Sequence, residues 1–173
     1  MALSPGERLP ETSLMQIELR RITYSAAHSQ ETSAYTADVY IDGELAFHAR
    51  NQGHGGCDFY HKAGRWTEAE VDAWLKVNRP ARSHQGITLE HDLETEIGDL
   101  LARELEYRRL KRLFRTNLVT IERGEIFQYP LRKRPLAVVT RAVLATNPDA
   151  VVVNGADDAR LREAVDILIA AAG

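Results

Sequence analysis

The chain has 173 residues, 44% of them hydrophobic and 27% charged, a balance that supports a folded core and argues against global disorder. Its one cysteine, Cys57, excludes an intramolecular disulfide, and no apolar run approaches the roughly 20 residues that span a bilayer. The net charge of −3 conceals an asymmetry: Arg103–Arg141 holds eleven Lys/Arg against four Asp/Glu, a local +7 on a remainder of −10.

The start, with Pro5, Gly6 and Pro10 and no apolar core, does not read as a secretory signal. Residues 1–14 read as a flexible tail, residues 15–173 as a single α+β domain, and the default compartment as the cytoplasm. From Gln16 to Arg50 the pattern has period two, with a phase slip at Arg20–Arg21 of the kind a bulge produces. Asp42-Gly43 signals a hairpin. A two-residue loop would pair Val39 with Ala46 and mix the faces. A three-residue loop, Ile41-Asp42-Gly43, pairs Val39 with Leu45 and Ala37 with Phe47, and the apolar register favours it. This first third is an antiparallel meander, with His48 on the face opposite Phe47.

Thr67 and Glu70 form a capping box for a helix with Val71, Trp74 and Leu75 on its buried stripe. Asn78–Gly86 reads as a connector. Leu89, Leu93, Ile97, Leu100 and Leu101 mark a long charged helix running to Arg115, acidic at its start and basic at its end as the helix dipole favours. Leu118–Ile121 and Ile126–Tyr129 flank Arg123-Gly124 as a second short hairpin. Leu136–Ala145 is helical, stopped by Asn147-Pro148. Val151–Val153 is a buried strand or loop, and Asp157 or Asp158 caps a last helix carrying Leu161, Val165, Leu168 and Ile169.

The densest unusual segment is Asn51–His61, where three glycines in four positions permit positive φ and a nest of amides for an anion. Its candidate ligand-binding residues are Asn51, Gly53, His54, Gly55, Gly56 and Tyr60. The bland alternative is a tight crossover, with Phe59 and Trp66 covering the sheet edge. Neither GxxxxGK[ST] nor GxGxxG is present. His54, Cys57 and His61, joined by His48, carry metal-ligating atoms, but no paired C-x-x-C accompanies them, and no metal or cofactor is assigned. Cys57 activated by His54 or His61, with Asp58 orienting the imidazole, lacks a third fixed partner.

The string Tyr40-Ile41-Asp42-Gly43, then Asn51, then Gly53-His54-Gly55-Gly56 and Tyr60, resembles a pattern in a family of small proteins encoded by bacteria, prophages and other mobile elements. The similarity extends more weakly through the charged helix and second hairpin, covering Gln16 to Ala145. It implies no reaction, cofactor or catalytic assignment, only a setting of host–element conflict or nucleic-acid processing. Cys57 is not part of the pattern.

A second candidate surface is basic: Arg108, Arg109, Lys111, Arg112 and Arg115 at the end of the long helix, then Arg132, Lys133 and Arg134. Pro130 and Pro135 flank the last three, which read as extended and exposed. They suit a phosphate backbone or an acidic partner. The leading expectation is a non-enzymatic protein of a mobile element or its host that binds nucleic acid or a nucleoprotein or defence complex, an inhibitor included. The alternatives are a small enzyme or anion- or nucleotide-binding protein using loop 51–61, and a structural or oligomer subunit. No membrane partner is expected, and the oligomeric state stays open.

Overall fold

The computed structural model describes residues 14–84 and 86–172. The segment read as a tail lies outside these residues except for Leu14. The fold is α+β. Strands β1 (Ile17–Tyr24), β2 (Tyr35–Ile41), β3 (Glu44–Asn51) and β4 (Phe59–Lys62) form an antiparallel sheet in sequential order. Helix α1 (Glu68–Asn78), the ribbon β5 (Arg82–His84) and β6 (Ile87–Leu89), and helix α2 (Leu93–Leu113) follow. Then come β7 (Asn117–Glu122), β8 (Glu125–Pro130), α3 (Leu136–Thr146), β9 (Val151–Val152) and α4 (Asp158–Ala172). The chain divides into two compact units, Met1–Ile97 and Gly98–Gly173, so the boundary falls within α2. Among the described residues no helix is long and apolar enough to cross a membrane.

In the first unit, alternation along β1–β3 buries Ile17, Tyr35, Ala37, Val39, Ile41, Phe47 and Ala49 on one face. The β2–β3 loop has two residues, not three. Ile41 pairs with Glu44 and Tyr40 with Leu45, and Asp42 and Gly43 take φ of 51° and 82°, as a type I′ turn requires. The expected mixing of faces is avoided because the register shifts past Tyr40, so that Val39 meets Phe47 and Ala46 is the extra residue. The Ala46 carbonyl accepts from Ala63 N (2.9 Å) and Gly64 N (3.1 Å), and the side chain is fully buried. The slip in β1 is a bulge as well, between Arg20 and Thr23, with Arg21 at φ 51°.

The capping box at Thr67 is present, and Val71 and Leu75 are fully buried. Two boundaries differ from expectation. The stretch read as a connector contributes β5, and Leu89 pairs with Arg82 in β6 instead of opening the long helix. Helix α2 starts later because Asp92 caps it, accepting from Thr95 N at 2.8 Å, while Asp72 of α1 accepts from Leu93 N at 2.8 Å. His91 Nε2 lies 2.6 Å from Glu96 Oε2, and Arg79 Nη2 lies 3.2 Å from the other carboxylate oxygen. This closes a buried polar cluster at the helix start.

In the second unit β7 is central, with β8 and β9 on its two sides. Leu110, Val119, Ile121, Val153, Leu161, Ala164 and Val165 form one apolar cluster, and Leu118, Val139, Val143 and Ala150 form another. Strand β9 is only two residues long, and the Asn154 side chain continues its ladder. Its Oδ1 accepts from Val119 N (2.7 Å) and its Nδ2 donates to the Asn117 carbonyl (2.9 Å). Buried Glu122 accepts from Thr120 (2.5 Å), Tyr129 (2.8 Å) and Asn147 (2.5 Å). Burial pushes the Glu122 carboxyl upward, but these three donors and Arg123 outweigh it and hold it below the usual carboxylate range.

Gly43→Ala adds a Cβ with nothing within 4 Å and costs only the left-handed strain, about 1 kcal/mol; Gly64→Ala carries no such strain but puts its Cβ 2.1 Å from the Leu45 carbonyl oxygen and costs about 1–3 kcal/mol through that clash, read from urea unfolding. Because the folded Glu122 pKa lies below its unfolded value, its contribution is present above about pH 4.3 and fades as pH falls through the folded value. Glu122→Gln should therefore lower stability at pH 7 and flatten the acid side of the Tm-against-pH curve.

Candidate functional site

The glycine-rich loop is built around Asn51, which is buried at the end of β3. Its Oδ1 accepts from Thr32 Oγ1 (2.8 Å) and Gly53 N (2.8 Å), and its Nδ2 donates to Asp58 Oδ1 (2.9 Å) and the Gly56 carbonyl (3.2 Å). Both lone pairs and both protons of the amide are thereby engaged. Gly53 has φ 86°, and a Cβ there would sit 2.1 Å from the His28 carbonyl oxygen. Its own carbonyl accepts from Gln30 N (2.9 Å) and Glu31 N (3.1 Å), which pins the β1–β2 connection onto the loop. Gly55 and Gly56 also have positive φ, at 84° and 96°, and His54 stands exposed between Gly53 and Gly55.

Asp58 closes the loop against the sheet. It accepts from the Tyr35 hydroxyl and, at 3.2 Å, from the Tyr60 hydroxyl. Burial, and after it the Asp58 carboxylate, push both phenols well above their usual range. Glu94 of α2 has the Asp58 backbone N–H and the Cys57 thiol as its neighbouring donors. Partial desolvation first, then the Asp58 charge, raise its carboxyl despite these donors. Cys57 thus meets a carboxylate, not an imidazole. Among the described residues no three His, Cys, Asp or Glu side chains converge to hold a metal ion.

Beyond the loop the chain pairs with β3 again, and this strand β4 was not expected from the sequence. Phe59, read as a cover, is 61% exposed; Tyr60, read as available for recognition, has its ring against Phe47 and its hydroxyl on Asp58. The β4 register completes two rows across the outer face of the sheet. One row is Arg20–Asp38–His48–His61, and the next is Thr23–Thr36–Arg50–Phe59.

The first row carries the most unusual geometry. Asp38 is 9% exposed, and its Oδ1 lies 2.7 Å from His48 Nδ1. An ionised carboxylate only accepts, so Nδ1 bears the proton, and in the neutral imidazole Nε2 keeps its lone pair. Asp38 Oδ2 is buried and receives no aligned hydrogen bond; the Arg21 Nε lies 2.9 Å away as an ion pair without that directionality. His48 and His61 stack with ring centres 6.3 Å apart and planes at 15°, and the Arg50 guanidinium lies 5.7 Å from the Phe59 ring centre. These side chains line an open recess of about 640 Å³. No protein-family model matches the chain, and no curated protein and no solved structure is similar to it. The chemistry of this face rests on its own residues.

The alternation in the sequence puts His48 opposite Phe47 but does not single out Asp38, Arg21 or Arg50. Period-two register, extended through the Ala46 bulge, is the signal that groups them.

The basic residues separate into paired and unpaired sets. Arg108 bonds Glu104 (2.7 Å) and Arg109 bonds Glu106 (2.9 Å), as helix neighbours do, and Lys111 lies over the Tyr107 ring. Arg112, Arg115, Arg132 and Lys133 are exposed and form no ion pair among the described residues. Leu131 N donates to the Thr116 carbonyl (2.8 Å), which brings the end of α2 alongside the segment after β8. That segment is not extended. Arg134 N bonds the Leu131 carbonyl (2.9 Å), and Arg132 and Lys133 take φ of 47° and 65°. The prolines restrict only the residues next to them, so Arg132 and Lys133 are free to close a turn. Arg132 and Arg134 flank a groove of about 280 Å³ that reaches Val139 and Val143 of α3.

Asn51→Ala should cost about 3 kcal/mol, since it strands the buried Gly53 amide and partly buried Thr32 and Asp58, whereas exposed His54→Ala should stay within about 0.5 kcal/mol in the same urea titration.

Proposed function

We propose that this chain binds nucleic acid through the basic corner of its second unit, in the setting its sequence resemblance implies, a mobile element or its host. The observation that carries the reading is the Leu131–Thr116 junction, which gathers Arg112, Arg115, Arg132, Lys133 and Arg134 from two separate segments. None of the five makes an ion pair among the described residues, so their charge is available to phosphates. Exposed cations on a turn neutralise a sugar–phosphate backbone without reading base edges.

The groove beside Arg132 and Arg134 supports a second reading, an acidic segment of a protein or nucleoprotein complex whose apolar side chain reaches Val139 and Val143. Arginine and a partly apolar floor are what such an interface uses.

Fluorescence anisotropy of labelled DNA and RNA across 50–200 mM salt separates the two, with each neutralised phosphate of a duplex contributing about 0.9 to the log–log slope. The triple variant Arg132/Lys133/Arg134→Ala should weaken binding uniformly across sequences and reduce that slope by about 2–3. Absence of binding at low salt, or an unchanged slope in the variant, would overturn the nucleic-acid reading and favour the acidic protein partner.

A further inference from the structure

The geometry points to a proton-transfer site on the outer face of β1–β4 that cleaves RNA, with His48 and His61 acting on one phosphodiester. The choice of RNA rests on the nucleic-acid reading above; the pairing of the two imidazoles does not.

Cleavage of RNA without a metal requires a base for the 2′-hydroxyl, an acid for the departing 5′-oxygen, and positive charge for the phosphorus oxygens. The two rows of the sheet face supply these by register. His48 holds its proton on Nδ1 toward Asp38, so its Nε2 is the acceptor, and the buried carboxylate stabilises the imidazolium that forms. His61 stands directly opposite on β4 with its ring 6.3 Å from that of His48. This separation is bridged by one phosphoryl group with a hydrogen bond of about 2.6–3.2 Å to each imidazole. Arg50, two residues along β3 on the same face, is the cation for the non-bridging oxygens. Phe59, 61% exposed beside it, offers a ring on which a base stacks.

The step balances without water or a cofactor. The 2′-oxygen gives its proton to His48 Nε2 and forms a bond to the adjacent phosphorus. The bond from phosphorus to the 5′-oxygen breaks, and that oxygen takes a proton from the His61 imidazolium. The products are a 2′,3′-cyclic phosphate and a 5′-hydroxyl end, and solvent returns the two imidazoles to their starting protonation. DNA has no 2′-hydroxyl and is bound but not cut. The charged or titratable groups facing His48 are Arg20 and Arg21 from β1, Asp38 and Tyr40 from β2, Arg50 on its own strand and His61 from β4. Asp38 is a positioning residue, since it acts through His48.

The test uses the full chain and a labelled DNA oligomer containing one ribonucleotide, in EDTA, with products identified by mass spectrometry and anisotropy run in parallel. Cleavage at the ribonucleotide alone, leaving a cyclic phosphate and following a bell-shaped pH profile, is the expected result. His48→Ala and His61→Ala should each slow it by about 10²–10⁴-fold while binding persists. Asp38→Asn, which leaves His48 Nδ1 facing a neutral partner, should lower kcat for cleavage while KM and binding persist; a purely structural role would raise KM and weaken binding as well. His48→Gln replaces the alanine variant if circular dichroism shows the latter unfolded. Binding without cleavage at any pH would overturn the site and leave the nucleic-acid reading standing. Neither binding nor cleavage would overturn both. Cleavage that EDTA abolishes, or that survives loss of both histidines, would also overturn the site.

Discussion

The register between β2 and β3 decides which side chains this protein shows to its surroundings. A two-residue turn at Asp42-Gly43 by itself would set Val39 against Ala46 and turn the apolar residues of the two strands to opposite faces. The extra residue at Ala46 corrects the phase, and its carbonyl is held by the amides of Ala63 and Gly64 just beyond β4. One inserted residue thus keeps Phe47 and Ala49 inside and places His48 and Arg50 outside, next to Asp38 and Thr36. Because strand side chains alternate with period two, a slip of one would bury His48 and expose Phe47.

The loop after β3 transmits that register to β4. Asn51 uses all of its hydrogen-bonding capacity on Thr32, Gly53, Gly56 and Asp58, and Asp58 is fixed by two tyrosine hydroxyls from inside the sheet. The glycines turn the chain within this frame, and Gly53 alone has no room for a side chain against backbone. The consequence is that β4 begins at Phe59 in a defined phase, with His61 across from His48. The loop that attracts attention in the sequence does its work by aiming the strand that follows it.

Much of the fold is legible in the residues because local signals agree with tertiary ones. The β1 bulge, the Thr67 capping box, the Arg123-Gly124 hairpin and the helix over Leu136–Thr146 all follow from short-range patterns. Strands β4, β5 and β6 were not legible: each is three or four residues long, too short for period two to register. The same limit hid the candidate site. Asp38, His48 and His61 are separated by ten and thirteen positions, and only the bulged register of one hairpin and an unexpected strand bring them into a row. The basic corner was legible as composition, but its turn was not, since flanking prolines say little about the residues between them.

Backbone strain separates the hairpin turns from the surfaces that carry charge. Among the described residues five non-glycine positions have φ between 47° and 65°. Asp42 and Arg123 each precede a glycine in a two-residue hairpin, where the turn type demands positive φ. The other three are Arg21, Arg132 and Lys133, none of which serves such a hairpin. Left-handed conformations at long side chains cost of order 1–3 kcal/mol each and persist where surrounding contacts over-determine them. Arg21 is held by the β1 bulge against Asp38, and Arg132 and Lys133 by the bonds from Leu131 to Thr116 and from Arg134 to Leu131. In both places a cation is fixed at an exposed corner at the expense of backbone ease. Glycine at these positions would relax the strain and lose the charge, so the strain and the placement of the cation are coupled at each of them.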